Sequence, residues 1–376
     1  MDYPGPITFW AVFLLAAVVA CAATPIAIKI AYKIGALDIP KDGRRMHSKP
    51  MPRFGGLAIF AGATAALAVF LSGDAHIRGI IIGGAMMYIL GIIDDLRGMP
   101  AKVKLLGQIL CAAVVCAFDV RIMFMTNHFG WLFGQDHVFF AGALSWIFTI
   151  IWIVGITNTI NLIDGLDGLA AGVSAIASLC IAYAEYIHGY YLGTLGMLAI
   201  AGAALGFLPF NFHPARIFMG DGGSMFLGFM LASMAVVQPA KGATIVAVIV
   251  PVLVLGLPIF DTAFAILRRL INHKPIMEAD KGHLHHRIMA IGMGQSRSVM
   301  MLYGISAIMG VAAVLFSRDL FVETAGLTGV AAMLVYIFLT DASLLLPDLK
   351  GINVRKLEKQ QSKRITAESP GEEKSS

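Results

Sequence analysis

Charge is what this sequence has least of. Of its 376 residues only 14% are Asp, Glu, Lys or Arg, while 58% are hydrophobic and the mean hydropathy is +0.80. That balance excludes an ordinary water-soluble globule. Apolar runs of about 20 residues, enough to cross roughly 30 Å of hydrocarbon, recur along nearly the whole chain. No basic residue precedes the first of these runs, where Asp2 stands instead. A cleaved signal peptide needs a positive n-region, so this run reads as a retained helix. Cysteine is scarce: Cys21, Cys111, Cys116 and Cys180 all lie inside apolar runs, without metal-ligand spacing or a disulfide framework. The chain also lacks a P-loop, a dinucleotide fingerprint and any obvious internal repeat. The expected fold is therefore all-α, a polytopic membrane helical bundle over residues 1–345, followed by a charged, Ser-rich and disordered tail at 346–376.

Eleven spans are predicted, at 7–34, 54–72, 76–93, 103–118, 142–160, 169–187, 192–210, 223–238, 243–267, 299–317 and 323–340. Pro251 and Pro258 should kink or break the ninth. Consecutive spans alternate direction, so the odd-numbered loops share one face. Those loops, with the first residues of the spans that follow them, hold fifteen Lys and Arg between Lys41 and Arg297, against four on the even side (Arg78, Arg121, Lys241 and Arg318). Positive-inside bias then predicts a cytoplasmic odd face, an outside N-terminus and a cytoplasmic C-terminus. The outer segment 119–141 is rich in aromatics such as Phe124, Trp131 and Phe139, which suit an interfacial belt.

Every polar cluster that suggests chemistry falls in an odd loop. In N-T-I-N-L-I-D-G-L-D-G-L-A-A-G, residues 158–172, Asn158, Asn161, Asp164 and Asp167 recur at every third position, with Gly165 and Gly168 free to leave the helix. Their oxygens are hard ligands suited to Mg²⁺ and to a polar, phosphate-bearing substrate; a plain polar helix cap is the competing reading. Asp94 and Asp95 end the third span, where one acid could orient a metal and the other accept a proton. Asp221 stands between Gly220 and Gly222 at the start of the eighth span, as an N-cap or as a group holding Mg²⁺ against an anion, with Phe218 nearby to stack on a base. Arg53 beside Gly55 and Gly56 stands out from the topogenic charge of the first loop. In D-K-G-H-L-H-H-R, residues 280–287, three histidines and two cations suit a diphosphate better than zinc.

Five of these stretches resemble one family. They are H-S-K-P-M-P-R-F-G-G (47–56), G-I-I-D-D (91–95), N-T-I-N-L-I-D-G-L-D-G-L-A (158–170), F-M-G-D-G-G-S (218–224) and D-K-G-H-L-H-H-R (280–287). Together and in this order they resemble the polyprenyl-phosphate N-acetylhexosamine-1-phosphate transferases. The H-x-H-H run and P-x-P-R-x-G-G favour the WecA/TagO-like branch over the MraY-like one. The resemblance implies transfer of N-acetylglucosamine 1-phosphate from UDP-N-acetylglucosamine to undecaprenyl phosphate, with release of UMP. It implies Mg²⁺, with Mn²⁺ as a substitute, held by Asn161 and Asp221. Asp94, Asp95, Asp164, His283, His285 and His286 match the catalytic positions. Asp167 and Phe218 match the uracil site, and Lys49, Arg53, Asn211 and Arg287 complete the expected substrate-binding set. Expected partners are the two substrates and membrane lipid, with a homodimer as a further expectation and no nucleic acid. The alternatives are a phospho-N-acetylmuramoyl-pentapeptide transferase and, from another class, a membrane transporter.

Overall fold

The computed structural model describes residues 3–39, 50–122, 124–126, 137–139, 142–237, 248–271 and 294–340. It is nearly all helical. α1 (Pro6–Ile34) leads through a short ribbon, β1 (Leu37–Asp38) with β2 (Met51–Pro52), into α2 (Gly56–Leu71), α3 (Ala75–Arg97) and α4 (Ala101–Ala117). A second antiparallel ribbon, β3 (Phe124–Thr126) with β4 (His137–Phe139), precedes α5 (Ala143–Ile163), α6 (Leu169–Ile187), α7 (Tyr191–Asn211) and α8 (Gly220–Ala235). α9 (Val250–Val254), α10 (Gly256–Ile271), α11 (Gln295–Phe316) and α12 (Phe321–Thr340) complete the described chain.

These helices fall on the segments that hydropathy marks out, and their ends have local causes. Gly35 closes α1 in the left-handed conformation, with its N–H donating to Ala31. Asp74 caps α3, its carboxylate accepting from the N–H groups of His76 and Ile77. The ninth predicted span is broken as its prolines require, into α9 and α10, with the interruption at Leu255 between Pro251 and Pro258. Among the described residues, α1, α3, α5, α6, α7 and α11 are long and apolar enough to cross a membrane. Large apolar side chains such as Trp10, Leu14, Val18, Ile89, Leu110 and Ile151 are exposed on the outside of the bundle. In a bundle whose surroundings are hydrocarbon, that is the stable arrangement. The chain is a multi-pass membrane protein.

The core centres on α8, in which every residue except Asp221 is buried. A helix apolar on all sides needs neighbours on all sides. α2, α3, α5, α6 and α7 supply them, while α1 lies against α2 and α7, and α11 packs against α6 and α12. The closest approaches run through glycine: a Cβ on Gly91 would meet Gly222 Cα at 2.4 Å, and one on Gly56 would meet Gly223 N at 2.4 Å. Backbones therefore touch where α2 and α3 meet the first turn of α8, a packing that only small residues permit. Gly56, Gly91, Gly222 and Gly223 serve this contact between helices.

Candidate active site

The first turn of α8 needs acceptors for its free N–H groups. Asp95 of α3 supplies them: Oδ1 accepts from Asp221 N at 2.9 Å and Oδ2 from Gly222 N at 3.0 Å. Gly220, at φ +74°, makes the turn that lets this carboxylate in; a Cβ there would meet Asp95 Oδ2 at 2.6 Å. Asp95 is thus both a cap and an anchor for Arg53, whose Nε lies 3.0 Å from Asp95 Oδ1.

Arg53 reaches the site because its backbone is pinned on both sides. Arg53 N donates to Ala36 O, Phe218 N to Pro52 O, Gly55 N to Phe218 O and Gly56 N to Met219 O. The stretch 52–56 is thereby zipped along 218–219, and the Arg53 fork spans Asp95 and Asp221, with Nη2 3.0 Å from Asp221 Oδ1. A planar guanidinium suits two carboxylates at once.

Lys104, in the first turn of α4, is the second cation. Its Nζ lies 2.7 Å from Asp94 Oδ2, 2.9 Å from Asp221 Oδ2 and 3.4 Å from Asn161 Oδ1. Asp94 is steadied by Met99 N at 2.7 Å. Asn161 closes the ring, its Nδ2 donating to Asp221 Oδ1 at 3.2 Å and to Ser224 Oγ at 2.9 Å. α5 ends at Ile163, so Asp164 faces the same charges from the turn that follows. Burial, with the Asp221 charge next, pushes Asp164 up to about 7 against the pull of Arg53.

The structure therefore gathers Arg53, Asp94, Asp95, Asn161, Asp164 and Asp221 at one end of the bundle. Asp167 and Asn211 are tied to the segment that leads to Phe218. Asp167 Oδ2 lies 2.8 Å from His213 Nδ1 and accepts from Ala215 N at 3.2 Å. Asn211 is buried, its Oδ1 accepting from Gly168 N and its Nδ2 donating to Ile217 O, so its amide holds two loops together. Lys49, His283, His285, His286 and Arg287 lie outside the described residues. Asn158, the first member of the every-third row, is absent from the charged ring and pairs with Gln108. Lys104 and His213 are the residues that sequence reasoning passed over. Lys104 looked like one more topogenic cation; its distinguishing signal is that it lies one turn into the helix that follows the Asp94-Asp95 pair.

No group of three or more His, Cys, Asp or Glu forms a metal centre among the described residues. The donor set nevertheless fits a hard cation. Oxygens of Asp94, Asp221 and Asn161, from three helices, converge on one position, which the Lys104 ammonium takes. Four carboxylates (Asp94, Asp95, Asp164 and Asp221) face two cations, Arg53 and Lys104, so acids outnumber bases at the site.

Residues 77–238, which carry most of this cluster, match the family model described as glycosyl transferase family 4. The chain is 41% identical over 303 residues to a probable undecaprenyl-phosphate N-acetylglucosaminyl 1-phosphate transferase of Bacillus subtilis, covering 80% of this chain and 83% of that one. It is 35% identical to a decaprenyl-phosphate N-acetylglucosaminephosphotransferase of Mycobacterium tuberculosis, over 77% and 78% of the two chains. A phospho-N-acetylmuramoyl-pentapeptide-transferase of Bacillus pumilus is more distant, at 28% over 70% of this chain and 83% of its own. With five motif stretches in order and relatives of this identity along most of its length, the chain belongs to the polyprenyl-phosphate N-acetylhexosamine-1-phosphate transferases of glycosyl transferase family 4.

Proposed function

We propose that this protein transfers N-acetylglucosamine 1-phosphate from UDP-N-acetylglucosamine to undecaprenyl phosphate, releasing UMP, and that it needs Mg²⁺. The observation that carries this reading is the convergence of Asp94, Lys104, Asn161 and Asp221 around one cation position, with Arg53 alongside. The name of the Bacillus subtilis relative supports the sugar and the lipid acceptor. The excess of Lys and Arg in the odd loops supports eleven crossings, an outside N-terminus and a site on the cytoplasmic face, where a cytosolic nucleotide sugar and a lipid phosphate can meet.

In this mechanism Asn161 and Asp221 would hold Mg²⁺, which would supply neutralisation of diphosphate charge. The chain's own groups do the rest. Lys104 turns from its carboxylates onto the donor phosphates, and Arg53 stabilises charge from the side of Asp95. Asp94, within reach of Lys104, orients the lipid phosphate and accepts its proton. An oxygen of that phosphate attacks the β-phosphorus of the donor, the bond from that phosphorus to the bridging oxygen breaks, and UMP departs. Asp95 keeps Arg53 and the start of α8 in place throughout. Asp167 and Phe218 would receive the uracil, with His213 orienting the Asp167 carboxylate.

The decisive experiment offers purified protein a panel of UDP-sugars with undecaprenyl phosphate, with and without a chelator, and measures UMP and the lipid product. Metal-dependent release of UMP with UDP-N-acetylglucosamine is expected. Absence of UMP with every donor would sink the reading, and a phosphorylated protein trapped with donor alone would replace direct attack by a two-step route.

A further inference from the structure

The charged ring has a neutral floor. One turn along α4 from Lys104 lies Gln108, one turn along α5 from Asn161 lies Asn158, and one turn into α8 from Asp221 lies Met225. Gln108 touches both of the other floor residues. Asn158 Nδ2 donates to Gln108 Oε1 at 2.7 Å, Gln108 Nε2 donates to Asn158 Oδ1 at 3.2 Å, and Gln108 Nε2 also reaches Met225 Sδ at 3.3 Å. The second hydrogen of Asn158 Nδ2 goes to Val154 O at 2.8 Å. Each amide nitrogen has two hydrogens to give, and all four are spent within the protein. Gln108 is only 1% exposed. Neither side chain is placed to serve a substrate.

We propose that the reciprocal amide pair of Gln108 and Asn158 is a positioning device for Lys104. Apolar contacts between two helices are non-directional and tolerate sliding or rotation. Two opposed amide bonds accept one register only, and in a buried setting they are costly to leave half made. That register puts Lys104 opposite Asn161 and Asp221. A lysine stem is flexible, so the place its ammonium reaches depends on where its helix is held. The proposal rests on the reading that Lys104 takes part in the transfer. It assigns to Asn158 a role different from that of its neighbours in the every-third row.

The test uses full-length protein with UDP-N-acetylglucosamine, undecaprenyl phosphate and Mg²⁺, following turnover and thermal unfolding together. Q108L and N158L should each lower turnover by about 10- to 100-fold, the usual consequence of an ångström-scale misplacement. In Q108L/N158L no polar group is orphaned, so the melting temperature should return towards that of the unchanged protein while turnover stays low. The exchanged pair Q108N/N158Q should recover turnover, because the reciprocal bonds can form again. In a K104A background, Q108L should cost nothing further, since its effect passes through the missing group. Full turnover in Q108L/N158L, or an equal fold-loss from Q108L with and without Lys104, would overturn the proposal. If K104A itself turned over normally, the active-site reading would fall, and this proposal with it.

Discussion

The two ends of α6 handle buried acid in opposite ways. At its start, Asp164 and Asp167 belong to a network in which carboxylates meet Arg53, Lys104, His213 and backbone N–H groups drawn from segments far apart in sequence. Near its other end, Glu185 is 4% exposed, and its Oε2 has no hydrogen-bond partner among the described residues. Gly193 makes room for it; a Cβ there would meet Glu185 Oε1 at 2.6 Å. Burial alone therefore does not distinguish a functional acid from a packed one. Convergence does: the first acids are held by groups that cost a great deal to assemble and that can be redirected to a phosphate, while the last is held by the shape of two helices.

That contrast is tested most strongly at Asp221. D221N keeps the shape and removes the charge shared by Arg53, Lys104 and Asn161. Metal-dependent turnover should fall by about 10³-fold or more, the equivalent of several kcal/mol of charge stabilisation. Far-ultraviolet circular dichroism should show the helices intact. Ordinary activity at ordinary Mg²⁺ would remove Asp221 from the site.

K104A comes next. Turnover should drop by about 10²- to 10³-fold, comparable with loss of one preorganised donor. R53K keeps the charge but cannot span Asp95 and Asp221 with one planar group, so a loss of about tenfold is expected in steady-state kinetics. A loss as large as that of K104A would mean that Arg53 contacts the reacting phosphates more directly than its present pairing suggests.

The smallest effect belongs to the other end of the helix. E185Q should leave turnover within about twofold and shift the melting temperature by only a few degrees, the range of a change that opens no cavity and breaks no pair. If E185Q abolished transfer while the protein remained folded, the distinction between the two ends would disappear.

Much of this architecture is legible in the sequence because a bilayer enforces it. The described helices coincide with the hydropathic segments, and the break in the ninth was announced by Pro251 and Pro258. The site was legible as a set of positions: Asp94, Asp95, Asn161, Asp164 and Asp221 stand in separate motifs and meet in space. Their division of labour was not legible. Asp95 and Asp94 are neighbours in sequence, yet one caps α8 while the other faces Lys104. Asn158 and Asn161 look equivalent in a three-residue row, but register against α4 sends one to Gln108 and the other to the charged ring. Lys104 escaped notice because positive charge near a helix end has a sufficient topological explanation. Gly222 and Gly223, after Asp221, admit the backbone of α3 and α2, which the sequence does not announce.

Those glycine contacts determine how this end of the bundle can move. Where Gly56 meets Gly223 and Gly91 meets Gly222, backbone lies directly on backbone with no side chain to give way, and a shift of one helix drags the others. Adjustment to substrate must then fall to the long, rotatable arms of Lys104 and Arg53, so the enzyme should accommodate its donor by swinging side chains across a stationary scaffold.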